Sequence, residues 1–171
     1  MRQLHILLLI IGTAGFMQAQ PRHLTVGDTV PYFSLPDQDG KMYNYKEQKS
    51  KGITVIFFYP KDNASISTKQ AEGFKQHFKE FQEEGATIIG INPGTVESHK
   101  SFHQKSSLPF PLLSDKDNTV VNLFGIKTTM GALNRETYVV DYTGRIVFLL
   151  DSYLDGAKHA EEALKYIKSQ D

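Results

Sequence analysis

The sequence predicts an α/β fold with a mixed central sheet and helices on both of its faces. Three observations carry that prediction. Two short apolar runs, "ITVIFFY" (53–59) and "ATIIGI" (86–91), are separated by a helix-like pattern, which is the signature of parallel strands joined by a crossover helix. Two late runs, "ETYVVD" and "RIVFLLD", flank Tyr142, Thr143 and Gly144, and that spacing predicts an antiparallel hairpin. The run 53–59 carries β-branched and aromatic residues at both odd and even positions, so neither of its faces is built for water.

The elements follow in order. "YFSL" (32–35) and "MYNY" (42–45) flank "DQDG", whose Asp39-Gly40 pair predicts a hairpin turn. After the strand at 53–59, Ala71, Phe74, Phe78 and Phe81 recur at helical spacing and Gly85 ends the helix. Pro93 and Gly94 close the strand at 86–91. "TVESHKSFHQK" (95–105) predicts a short polar helix, "LPFPLLSD" (108–115) an extended segment, and "NTVVNLFGI" (118–126) another short helix. Ala160, Ala163, Leu164 and Ile167 line one face of a last helix over 156–169. Neither an internal repeat nor a low-complexity linker interrupts this order, which a thioredoxin-like layering satisfies.

Composition bounds the function. The 171 residues suffice for one domain with a substantial core. Lys plus Arg and Asp plus Glu both number 19, and no basic tract stands out, so no nucleic-acid partner is expected. Arg2 and His5 precede an apolar run at 6–16 with small residues after it. That pattern reads as a signal peptide over 1–19, cleaved after Ala19, leaving a domain over 20–171. The apolar run is short for a membrane span, so an exported, periplasmic or secreted product with no membrane attachment after cleavage is expected. Cys is absent. Thiol chemistry, disulfides, thiolate metal sites and a cysteine-linked lipid anchor are thereby excluded.

Several stretches resemble one family. "VGDTVPYFSLPDQDGK", "VIFFYPKDN", "TKQAEGF", "VESHKSF", "LPFPLLSD", "RETYVVDYTGRI" and "HAEEAL" are similar to peroxiredoxins, most of all to the bacterioferritin comigratory protein, or Q, type. The resemblance covers nearly the whole of 20–171. It implies a thioredoxin fold and hydroperoxide reduction by a cysteine thiolate that thioredoxin recycles. The family's active loop corresponds to Pro60, with Ala64 at the hydroxyl position and Ser67 at the peroxidatic cysteine position. Glu72 falls where many Q-type members carry a resolving cysteine, and Arg135 matches the arginine that steadies thiolate and peroxide. Ala64, Ser65 and Ile66 also replace the usual Thr-Pro-Gly, so the loop has changed by more than one thiol.

A serine cannot replace that cysteine. Its hydroxyl ionises far above a thiol, and it cannot cycle through a sulfenic acid and a disulfide. The expectation is therefore a non-catalytic binding protein or pseudoenzyme for which thioredoxin is not a productive partner. A non-thiol enzyme and a structural partner of another exported protein are the alternatives. Ser67 also has a plain structural reading, because "STKQ" (67–70) matches a capping box with Ile66 just before the cap. A serine nucleophile would need a histidine base, and no motif supplies one. Arg135 is either a surface arginine or a cation facing the old pocket, where a helix N-terminus beside it would favour a small anion.

His77, His99, His103 and His159 raise a metal reading, but Glu97 and the nearby lysines complete no ligand set, and solvated helix positions are expected for them. No cofactor and no metal ion is expected. Asn63-Ala64-Ser65 fits a glycosylation sequon. The sequence leaves self-association as a homodimer open.

Overall fold

The computed structural model describes residues 22–48 and 51–170. The signal-peptide reading of 1–19 lies outside the described residues. Strand β1 (Ser34–Pro36) and β2 (Met42–Asn44) pair antiparallel, with Leu35 opposite Tyr43. Asp37 Oδ1 accepts from the Asp39 and Lys41 amides at 2.9 Å, and Gly40 takes a φ of 78° to close the turn. Tyr45 does not extend β2 as its sequence pattern predicts. It opens a one-turn helix, α1 (Tyr45–Gln48), and stacks on Phe33 at 5.0 Å between ring centroids.

The main sheet has five strands in the order β5-β4-β3-β8-β9. At its centre, β3 (Ile53–Phe58) pairs parallel with β4 (Ala86–Asn92) and antiparallel with β8 (Glu136–Val140). Strand β5 (Leu112–Ser114) adds parallel to β4, and β9 (Ile146–Asp151) closes the other edge antiparallel to β8. The mixed sheet is thus the one the sequence predicts. Asp141 Oδ1 holds the β8–β9 turn by accepting from the Thr143 and Arg145 amides.

Alternate residues of β3 feed two cores, which is why the run lacks a polar face. Ile56 and Phe58 join Phe124, Tyr138 and Val140 on one side. Val55 and Phe57 join Phe74, Phe110 and Ala163 on the other. The second core is roofed by α2 (Ser65–Gln76), α3 (Phe78–Glu83), α4 (Val96–Ser106) and α6 (Lys158–Lys168). The first is covered by α5 (Thr119–Phe124), Tyr45 of α1 and the N-terminal segment around Leu24 and Val30. Helices therefore lie on both faces.

Two further departures from the sequence reading stand out. The single helix expected through Ala71, Phe74, Phe78 and Phe81 is two helices, because His77 leaves the helical region at φ −95°, ψ 7°. Its Nδ1 contacts Glu80 Oε1 at 2.8 Å, so the side chain attaches to the new first turn. A small hairpin, β6 (Thr128–Thr129) with β7 (Ala132–Leu133), went unread in the sequence. Its turn places Met130 and Gly131 at φ 53° and 77°, and a methionine there gives little turn signal.

Strand β4 packs tightly on the second core at Gly90. A Cβ there would lie 2.6 Å from Phe57 Cζ and 2.8 Å from Leu112 Cδ2, both on fully buried side chains. Gly90→Ala is expected to lower unfolding free energy by about 1–3 kcal/mol through overpacking. Urea denaturation with an unchanged slope checks this.

Candidate functional site

The site forms where the chain leaves β3 and enters α2. Ala64 stands at the N-cap of α2 and offers no side-chain acceptor, so the first amides of the helix are not side-chain capped. Ser67 lies inside the first turn, fully buried. The capping-box expectation is thus corrected: the helix starts two residues before Ser67. Gln70 points to Arg135 instead of back to the helix end, and its Oε1 accepts from Arg135 Nη1 at 2.7 Å. The same Nη1 reaches Ser67 Oγ at 3.4 Å, a much weaker contact.

Arg135 comes from the residue before β8 and is only 3% exposed. The surface reading is therefore corrected, and the guanidinium faces the loop. Its Nε donates to the Tyr153 carbonyl at 3.3 Å. No ion pair joins it to a carboxylate among the described residues. Burial pulls its pKa below the ordinary arginine value, yet a guanidinium stays charged at neutral pH. Pro60, Ala64, Ser65, Ile66, Ser67 and Tyr153 complete, with Arg135, the wall of a hollow of about 290 Å³. Glu72, by contrast, is on the exposed side of α2.

Two buried histidines hold this site in place, and both overturn the expectation of solvated positions. His99 and His159 are each fully buried. His99 Nδ1 lies 2.8 Å from Asp62 Oδ2, and its Nε2 lies 3.1 Å from the Leu113 carbonyl. Asp62 also accepts from Tyr59 Oη at 2.9 Å, Asn92 Nδ2 at 3.1 Å and Ser98 Oγ at 2.5 Å. Burial pushes its carboxyl up, but the hydrogen bonds from His99, Ser98 and Tyr59, with the charge of His99, outweigh that and leave it below the usual aspartate value. Asp62 sits in the loop between Pro60 and Ala64, so this network ties the loop to α4.

His159 does the same for the segment after β9. Its Nε2 donates to the Ser152 carbonyl at 3.0 Å and its Nδ1 accepts from Thr137 Oγ1 at 2.8 Å. Both roles belong to a neutral imidazole. Burial, with a smaller push from the charge of Arg135, holds its pKa down at about 4. Gly156 lets that segment lie against α2, since a Cβ there would sit 2.4 Å from the Ile66 carbonyl oxygen. The Tyr153 carbonyl is thereby fixed where Arg135 can use it. Neither fully buried histidine has a ring nitrogen free to act as base for Ser67. Among the described residues no group of three His, Asp or Glu side chains could hold a metal ion.

Comparison with known proteins places the chain in a family. The AhpC/TSA family profile matches residues 26–149. The chain belongs to the AhpC/TSA family. Among AhpC/TSA relatives, the chloroplastic peroxiredoxin Q of Sedum lineare is 38% identical over 148 residues, covering 85% of this chain and 79% of its own. The crystal structure of peroxidoxin BcpB from Mycobacterium tuberculosis superposes with a TM-score of 0.81 at 33% identity, covering 86% of this chain and 98% of that one. A cysteine-to-serine mutant of Xylella fastidiosa PrxQ gives 0.80 at 29% identity, covering 87% and 98%. The thioredoxin-like peroxiredoxin fold and the Q-type likeness expected from the sequence are confirmed. This AhpC/TSA chain contains no cysteine.

The His159 contacts make stability pH-dependent in a defined window. An unfolded histidine takes a proton near pH 6.5, whereas His159 in the fold resists until about 4. The unfolded chain therefore binds more protons between those values, so the contribution of His159 is full above the window and is lost as pH falls through it. Relative to His159→Gln, the wild type should lose about 2 kcal/mol more unfolding free energy between about pH 7 and about pH 5. Parallel urea titrations at the two pH values check the difference.

Proposed function

We propose that this chain is an exported, non-catalytic member of the AhpC/TSA family whose Arg135 hollow binds a small anion. The observation that carries the reading is the buried guanidinium that, among the described residues, meets only neutral acceptors: Gln70, Ser67 and the Tyr153 carbonyl. A buried charge without a counterion is costly, and an incoming anion would relieve that cost. Gln70 adds a second unmet need, because its buried Nε2 has no hydrogen-bond partner. The start of α2, a helix of 12 residues, adds its positive end. Pro60, Ala64 and Ile66 make much of the wall apolar, which favours a small carboxylate over a multiply charged phosphate. The signal-peptide pattern over 1–19 supports export.

Family chemistry is not retained on this reading. Ser67 has no base, and a hydroxyl cannot form the sulfenic acid on which thiol peroxidases turn over. Purified protein is expected to show no hydrogen peroxide or organic hydroperoxide turnover with thioredoxin as donor. Turnover that is lost in Arg135→Ala would overturn the non-catalytic reading.

Anion binding has its own readout. A carboxylate such as acetate or benzoate, at ten times its dissociation constant, should stabilise the fold by about 1.4 kcal/mol. For a domain of this size that raises Tm by roughly 3–6 °C. Arg135→Ala should abolish the rise. An equal rise in both proteins would place the anion elsewhere.

A further inference from the structure

A second hollow, of about 520 Å³, lies at the C-terminal ends of β4 and β5 and shares no wall residue with the Arg135 hollow. Its size is within the range of small-molecule sites. Crevices beyond the carboxyl ends of parallel strands are where open α/β sheets place ligands. Phe33, Leu35, Val96, Val120 and Leu123 give the lining an apolar part. Its charged members are Glu97, Asp115 and Asp117 with one base, Lys116.

Asp115 is the informative member. It is 1% exposed, and its Oδ2 accepts from the Val121 amide at 2.8 Å, which anchors α5. Its Oδ1 is buried and accepts no hydrogen bond from the described residues. A carboxylate oxygen in that condition lacks a donor. Burial pushes the carboxyl up, against the amides of Val121, Val120 and Thr119 that pull it down, and a positively charged donor beside it would favour the ionised form.

The neighbouring helix start does not call for an anion. Thr95 Oγ1 already accepts from the Ser98 amide at 3.2 Å at the N-terminus of α4. Glu97 lies in the first turn of that helix, and its carboxyl is held low by its own backbone amide and by Thr95. The positive end of α4 is therefore answered from within the chain.

We propose that this hollow is a second ligand site that takes a primary ammonium ion with an apolar body. The ammonium donates to Asp115 Oδ1, with Glu97 and Asp117 adding attraction, and the hydrocarbon part lies against Val96, Val120 and Leu123. The site is independent of the reading of Arg135.

Phenethylammonium chloride is the probe, and its binding to the purified protein is followed by methyl NMR. Saturable shifts are expected at the methyls of Val96, Val120 and Leu123. Phenylacetate and phenethyl alcohol, of like shape, should bind at least about tenfold more weakly. Asp115→Asn keeps an oxygen for the Val121 amide and should weaken the ammonium by about tenfold or more. Leu123 is 38% exposed, so Leu123→Lys sets a like charge at the mouth without disturbing the core and should do the same. Should Asp115→Asn fail to fold, Leu123→Lys and the ligand series decide. Absence of saturable shifts at these methyls, equal binding of phenylacetate, or binding kept in Leu123→Lys overturns the proposal.

Discussion

The constraint on which the site depends is a buried positive charge without a negative partner. Arg135 is 3% exposed and, among the described residues, is held only by neutral acceptors. Such an arrangement is unfavourable taken alone, so the surrounding fold must hold it there. The structure shows how. Arg135 precedes the strand that pairs with β3 at the centre of the sheet. Each loop that meets the guanidinium is tied down by a buried histidine. His99 holds the loop after β3 through Asp62. His159 holds the segment after β9 through the Ser152 carbonyl. With both loops fixed, Arg135, Gln70, Ser67 and the Tyr153 carbonyl are held together by the fold itself, a preorganisation that would favour the proposed anion.

The same framework explains how the chain can keep a peroxiredoxin fold without its sulfur chemistry. The resemblance to peroxiredoxins implies that the family's reacting atom is a single side-chain atom at the position of Ser67, near the start of α2. The fold depends instead on the two cores flanking β3 and on the histidine ties, none of which involves Ser67 Oγ. Exchanging a thiol for a hydroxyl there leaves the packing of Phe57 on Phe74, at 4.6 Å between ring centroids, untouched. What the missing cysteine removes is thiol chemistry, and the described fold does not need the sulfur atom.

Much of the fold was legible in the sequence, because periodicity and turn chemistry are local. The two-sided run at 53–59, the Asp39-Gly40 turn and the face of α6 each appear as written. The site was legible only through resemblance, which paired Ser67 with Arg135 across 68 positions. Local reasoning failed where a tertiary partner outcompeted a local one. Gln70 was expected to serve the helix end, yet a buried guanidinium is the stronger partner for an amide oxygen. His99 and His159 look solvated because their helices carry lysines and glutamates. Nothing local says that Asp62 and Thr137 wait across the core for them. One signal was present: His159 lies one position before Ala160, on the edge of an apolar face.

The central claim is that the first turn of α2 faces an uncompensated cation, and a titratable probe at that turn tests it most directly. In Ser67→Cys the new thiol would sit where Ser67 Oγ meets Arg135 Nη1. Burial would raise its pKa, while the guanidinium and the helix end would lower it. Because the buried cation lacks a counterion, forming the thiolate pairs two charges instead of isolating one, and the lowering should win. Thiolate ultraviolet absorbance against pH is the measurement. The midpoint should lie below the ~8.5 of a free cysteine and move above it when Arg135→Ala is added. A midpoint at or above that value with Arg135 in place would contradict it.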